Sequence, residues 1–244
     1  KRAGDVIPYI VGPVIDLRDG AEQVIEPPER CPFCDAPVKR VPGEVAITCD
    51  NPACPEQLVR RVEYFVSRSA MDIDGFGGRT GIVLIDNGLI HDVADIYYLN
   101  GAYLLALEGF QEKKVDNLLA GIEASKNQPP QRLLTALGVR FVGSVVANLL
   151  IDELGSIDAI AAADQEKLEG IDGIGPQTAV SITDWFADER HQALLQKFRD
   201  AGLQFAAEQA DEGDAPQPLA GLTFVITGTL PGLSRSEAKA LIEA

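Results

Sequence analysis

The chain has 244 residues, 46% of them hydrophobic, and a formal net charge of −16 from 21 Lys+Arg against 37 Asp+Glu. That length permits one large domain or several small ones. No apolar run approaches the roughly 20 residues of a membrane helix, and the opening Lys1-Arg2-Ala3-Gly4-Asp5 has no apolar signal region, so neither a membrane partner nor secretion is expected. The acidic balance argues at first against nucleic acid, but phosphate contacts depend on local basic surface rather than total charge. Residues 30–149 carry 12 Lys/Arg against 14 Asp/Glu, whereas residues 150–218 carry 4 against 15. The window 124–151 contains no acidic residue and holds Lys126, Arg132 and Arg140.

In chain order, the sequence starts without Met and runs at once into a strand-like stretch at 6–11, which suggests a piece of something longer. All four cysteines follow, as Cys31-x₂-Cys34 and Cys49-x₄-Cys54 separated by 14 residues. Two short thiolate loops of this kind suit a tetrahedral Zn²⁺ in a zinc ribbon, with a structural role because four protein ligands leave no open position. The alternative is a pair of disulfides in a secreted domain, which the absent signal peptide disfavours. Residues 38–48 read as a hairpin turning at Pro42-Gly43. His91 and His191 lie far from the cysteines and read as surface residues.

After the last cysteine, residues 56–68 read as a helix with Leu58, Val62, Phe65 and Val66 on its apolar face and Glu56 paired to Arg60. Arg61 and Arg68, seven apart, share another face and are candidates for phosphate contact; a solvated helix face is the plainer reading.

An internal repeat then runs along the chain. Ile73-Asp74-Gly75-Phe76-Gly77 (followed by Gly78), Leu107-Glu108-Gly109-Phe110-Gln111 and Ile171-Asp172-Gly173-Ile174-Gly175 share one pattern, and Gly138-Val139-Arg140-Phe141-Val142-Gly143 is a looser relative. Their last positions step by 34, 32 and 32 residues, a period that signals repeated supersecondary units. Helical spacing flanks each: Val115, Leu118, Leu119 and Ile122 after the second, Ala179, Ile182 and Phe186 after the fourth, and Asp164 as N-cap before the fourth. Each unit is therefore helix, glycine turn, helix. Glycines leave the backbone bare, and the helix that begins there presents free N–H groups and a positive dipole end to a phosphate, without reading bases. A structural turn between packed helices is the competing reading for any single copy. The copies are unequal: Gln111 stands where the second glycine would be, so an altered turn and a weaker grip are expected there. Repeat three carries Arg140, and repeat four has both glycines but no basic residue in its turn. Trp185 reads as core.

Residues 209–218 are acidic and Pro-rich, as in a flexible linker. Beyond them Thr223-Phe-Val-Ile-Thr227 reads as a buried strand, and Ser234 with Glu237 as a capping box.

A cysteine ribbon followed by four such hairpins resembles the carboxy-terminal part of the bacterial NAD-dependent DNA ligases. The stretches that carry the resemblance are Cys31-Pro-x-Cys34, Cys49 to Cys54-Pro55, Phe65-Val-Ser-Arg68 running into Met71-Asp-Ile-Asp-Gly-Phe-Gly77, and Gly173-Ile-Gly-Pro176. Arg2-Ala-Gly-Asp-Val-Ile-Pro8 is similar to the close of that family's OB domain, and Leu219 to Leu230 to the first strand of a BRCT domain. The resemblance implies a mainly α fold with four helix-hairpin-helix repeats, a preceding four-cysteine zinc ribbon, and β fragments at both ends. The implied divisions are OB end 1–28, zinc finger 29–56, helix-hairpin-helix domain 57–205, linker 206–218 and truncated BRCT domain 219–244. In the family, a lysine in a Lys-x-Asp-Gly motif takes an adenylyl group from NAD and passes it to the 5′-phosphate at a nick. No such motif occurs here, and the nearest string, Lys167-Leu-Glu-Gly170, differs at the acid.

The resemblance thus implies a non-catalytic part that grips nicked duplex DNA for replication and repair. Its zinc is structural, NAD is bound outside this segment, and the adenylation domain of the same polypeptide is a partner. A monomer in the bacterial cytoplasm is expected. The expected DNA contacts are Arg61, Arg68, Gly75, Gly77, Gly78, Gly109, Gly138, Arg140, Gly143, Gly173 and Gly175. Two other classes compete: a stand-alone repair or junction-binding module, and an acidic protein-interaction scaffold.

Overall fold

Short apolar stripes broken by glycine turns give short helices, and the structure consists mainly of them. The computed structural model describes residues 2–3, 7–8, 11–40, 45–49, 51 and 54–207. At the start, β1 (Arg2–Ala3) and β2 (Ile7–Pro8) pair antiparallel. β3 (Val38–Arg40) and β4 (Ile47–Cys49) form the expected cysteine-module hairpin, with Val38 opposite Cys49. The turn expected at Pro42-Gly43, the linker at 209–218 and the segment 219–244 lie outside the described residues.

The helices are α1 (Pro55–Val66), α2 (Gly78–Asp86), α3 (Gly101–Leu105), α4 (Glu112–Ser125), α5 (Pro130–Ala136), α6 (Ser144–Leu154), α7 (Ile157–Ala162), α8 (Gln165–Glu169), α9 (Pro176–Ala187) and α10 (Glu189–Asp200), with a 3-10 helix over Val93–Tyr98. Four hairpins result, α1/α2, α3/α4, α5/α6 and α8/α9. The 3-10 helix links the first two and α7 links the last two, so the chain carries one two-hairpin arrangement twice.

The stripes read from the sequence form the core. Val115, Leu118 and Ile122 of α4 are buried, as are Ala179, Ile182 and Phe186 of α9. Asp164 caps α8, its carboxylate accepting from the Lys167 amide at 2.8 Å. Trp185 is partly buried, edge-on to Phe186 and stacked on His191 with centroids 4.1 Å apart.

The helix read over 56–68 ends at Val66, because Ser67 turns extended (ψ 161°) and its hydroxyl bonds back to the Tyr64 carbonyl at 2.7 Å. Arg68 therefore lies in the following turn, and the shared helix face argued for Arg61 and Arg68 does not exist.

A single apolar cluster runs from Val62 to Leu203. The last helix closes it: Phe198 of α10 stacks on Phe65 of α1 at 5.4 Å, and Tyr97 meets both rings edge-on. Lys197 adds a polar clamp, with Nζ 2.6 Å from both Asp92 and Asp95 at the start of the 3-10 helix. Burial works against the Asp95 charge, but Lys197 and the backbone amides of His91 and Asp92 hold its carboxyl below the usual range.

Candidate metal centre and nucleic-acid interface

The four cysteine sulfurs all lie within 4.8 Å of one another. Cys34 and Cys49 are 3.5 Å apart and Cys31 and Cys54 are 3.9 Å apart. Four sulfurs about 2.3 Å from a tetrahedral zinc sit about 3.8 Å from each other, so the cluster fits a metal such as zinc in both donor type and size. Local backbone sets the ligands. Asp35 adopts φ +56°, its amide bonding the Cys31 carbonyl at 2.9 Å, while the Cys31 amide bonds the Ala36 carbonyl at 2.8 Å. Bonds from Asn51 and Ala36 bring the Cys34 thiol down to about 6. An Asn51 backbone bond favours the Cys49 thiolate too, but desolvation and the neighbouring sulfurs push it up to about 12. Crowded thiolates repel, and a divalent cation removes that conflict. Cys54 is the N-cap of α1, and the Gln57 side-chain amide donates to the Cys49 carbonyl, so the cysteine cluster is built into the start of that helix.

The four hairpins share one backbone form. The residue two before each second helix's N-cap is left-handed: Gly75 (φ +75°), Gly109 (+78°), Phe141 (+68°) and Gly173 (+92°). The N-caps themselves, Gly77, Gln111, Gly143 and Gly175, are extended, with φ between −87° and −95°. Inside each hairpin two apolar residues turn inward: Ile73 and Phe76, Leu107 and Phe110, Val139 and Val142, Ile171 and Ile174. The remaining tip residues are exposed, although the backbone of tip one at Asp74 and Gly75 also abuts α4.

These tips leave backbone donors open. None of α2, α4, α6 and α9 has a side-chain hydrogen bond at its N-cap. By contrast α3, α7, α8, α10 and the 3-10 helix are capped by Asn100, Ser156, Asp164, Asp188 and Asp92. α1 and α5 also lack a side-chain cap, and each begins with a proline, which has no amide to satisfy. Pro176 likewise removes one donor from α9.

The glycines named from the sequence all fall on these hairpins. Gly75, Gly109 and Gly173 supply the left-handed residue, and Gly77, Gly143 and Gly175 the N-caps, while Gly78 opens α2 against Glu63. Gly138 is left-handed at +67°, three residues before Phe141, as Asp72 (+51°) is three before Gly75. The altered turn expected at Gln111 is not found: its φ of −95° matches the other N-caps and suits any residue. The glycine that this turn requires is Gly109, which is present.

The basic residues divide. Arg140 is exposed on hairpin three and lies over the Phe141 ring at 4.8 Å. Arg68 is exposed, and its carbonyl accepts from Arg132 at 2.6 Å. Arg61 donates to the Gln57 carbonyl and lines a cleft with His91, Arg190 and Lys197. Two cations of the acid-free window are engaged within the protein: Lys126 pairs with Glu123 at 2.7 Å, and Arg132 is partly buried beside Arg68 and Asp72. Three basic positions escape the sequence reading. Arg79 and Lys113 are exposed in the first turns of α2 and α4, and Lys114 sits 3.7 Å over Phe110. The N-cap register is the signal for them, since Arg79 and Lys113 each stand two residues beyond it. Phe141 escapes too, although the 32-residue step places it level with Gly109 and Gly173.

Residues 132–195, hairpins three and four with part of α10, match the family described as helix-hairpin-helix motif. The whole chain aligns at 53% identity with the DNA ligase of Chloroflexus aurantiacus and at 46% with that of Frankia casuarinae, covering 34% of each relative. A DNA ligase of Gemmatimonas aurantiaca is 45% identical over 99% of the chain and 35% of its own length. The chain thus spans about a third of the length of these relatives. Among the described residues no helix is long and apolar enough to cross a membrane. The chain is thus similar along its whole length to a segment of DNA ligases, and the four-cysteine cluster and the hairpin match agree with that similarity.

Proposed function

We propose that this segment is the non-catalytic DNA grip of an NAD-dependent ligase, holding nicked duplex by its phosphate backbone while an adenylation domain elsewhere in the polypeptide performs the chemistry. The observation that carries it is the set of four exposed hairpin tips whose following helices all begin without a side-chain cap. Backbone amides at a helix start, with the positive dipole end, hold phosphate oxygens. They carry no base information, so the grip is independent of sequence. Gly75, Gly77, Gly78, Gly109, Gly138, Gly143, Gly173 and Gly175 allow close approach of the DNA backbone, and Arg61, Arg68 and Arg140 add charge.

The four cysteines hold a structural zinc, which supplies a fixed joint at the start of α1 and no reaction step. The parts fall at 1–28 (OB end), 29–56 (zinc finger), 57–205 (hairpin domain), 206–218 (linker) and 219–244 (start of a BRCT domain). The parent enzyme seals nicks in replication and repair as a cytoplasmic bacterial monomer. End-to-end similarity to ligases favours this reading over a stand-alone repair module.

Titration of the chain onto nicked duplexes of different sequence, over a series of salt concentrations, tests the proposal. Binding is expected to be similar for all sequences, with log K falling about 0.9 per log salt for each phosphate neutralised. Absence of binding at low salt refutes it.

A further inference from the structure

Hairpin three departs from the other three at its tip. Where they place an acid and then a glycine (Asp74-Gly75, Glu108-Gly109, Asp172-Gly173), it places Arg140-Phe141. The backbone does not change to suit: Phe141 keeps the left-handed φ of +68°. That conformation favours glycine, because a Cβ there crowds the following carbonyl. Core packing does not account for the residue, since Val139 and Val142 fill the inward positions and Phe141 is 49% exposed. The ring stands beside the uncapped start of α6, with Arg140 over it and the 79% exposed Val145 just beyond. It also borders a groove of about 780 Å³ shared with Val180 and Trp185 of α9.

We propose that Phe141 is a wedge that enters the base stack of the bound duplex, where the nick lowers the cost of unstacking. The inference rests on the DNA-binding reading above: Arg140 and the α6 amides bring a phosphate to the tip, and an adjacent ring then meets base edges rather than water. An exposed apolar side chain at a backbone-gripping tip is the arrangement by which proteins part base steps. The wedge gives this segment a means of telling a nicked from an intact duplex that phosphate contacts alone do not supply.

The test uses the 244-residue chain and nicked or intact duplexes carrying 2-aminopurine at the nick or at mid-duplex. The wild type should raise the fluorescence of the nick-flanking probe and bind nicked DNA more tightly than intact DNA. Phe141→Gly and Phe141→Asn both accept the left-handed turn, so neither should lower the unfolding midpoint. Each should abolish the fluorescence rise and weaken nicked-duplex binding about tenfold. The salt slope should stay as in the wild type, because no cation is removed. Phe141→Tyr should restore both readouts. If both variants keep wild-type affinity and fluorescence while the salt-dependent binding persists, the wedge is wrong and the backbone grip stands. If the wild type itself fails to bind at low salt, the DNA-binding reading has failed instead.

Discussion

Gly121→Ala offers a sharp test of how the hairpins are seated. In the interior of a helix such as α4, this change ordinarily stabilises by about 1 kcal/mol, because alanine restricts the unfolded chain and favours the helix. Here a Cβ on Gly121 would lie 2.2 Å from the Asp74 carbonyl oxygen and 3.1 Å from its carbon. Both partners are backbone, so no side chain can swing aside, and relief requires hairpin one to move by about 1 Å relative to α4. That hairpin is anchored by buried Ile73 and Phe76, so the shift also disturbs the core. Overpacking of this kind costs about 1–3 kcal/mol. Taking the upper end for a backbone clash and subtracting the propensity gain leaves a net loss of about 2 kcal/mol. For a chain of this size that is a fall in Tm of about 4–8 °C. Urea and thermal unfolding followed by far-UV circular dichroism measure it. A variant as stable as wild type, or more so, refutes the contact and with it the placement of hairpin one on α4.

Chelation at neutral pH should release about one zinc per chain and lower the unfolding midpoint, as for a four-thiolate structural site; a metal assay with a free-thiol titration checks it. Lys197→Met should cost about 1–2 kcal/mol at pH 7, discounted for the partial exposure of Lys197 and Asp92. Because the Asp95 carboxyl is held below its ordinary range, the Lys197 contribution is present above about pH 4 and lost as the pH falls through the folded value. Urea midpoints of the two proteins should therefore converge in acid. Gly175→Ala places a Cβ with nothing of the protein within 4 Å. It should change stability by less than about 1 kcal/mol yet weaken DNA binding, read in the same salt titration.

Much of this arrangement is legible in the sequence because it depends on local rules. Cysteine spacing gathers the ligands, and apolar periodicity gives the buried faces of α4 and α9. The repeat register locates every hairpin N-cap. What escapes depends on contacts distant in sequence or on residues used against their type. Gly121 gives no signal in the sequence, because the Asp74 backbone it meets lies in another hairpin. Lys197 gives none either, because its partners lie 105 and 102 residues away. Gln111 misleads because the pattern shows two glycines, of which the geometry requires only the first. Phe141 is hidden for the opposite reason, since its side chain gives no hint of a left-handed turn.

The duplication explains why the copies can differ without losing the turn. Hairpins one and three carry left-handed residues at 72 and 75, and at 138 and 141, whereas hairpins two and four carry them at 109 and 173 alone. Each linked pair thus joins one hairpin of each form, and the chain repeats that pair. The inward apolar residues and the one left-handed position hold the turn; the residue two beyond the N-cap is free to vary. It is Arg79 and Lys113 in the first pair but Val145 and Gln177 in the second. On the proposed function, an acidic protein that is to grip phosphate has to keep its cations where the backbone amides already point. In the first pair they stand in the opening turns of α2 and α4. In the second pair Arg140 alone stands on a tip, beside the exposed ring of Phe141. The electrostatic share of binding should therefore rest on the first pair, and the apolar share on hairpin three.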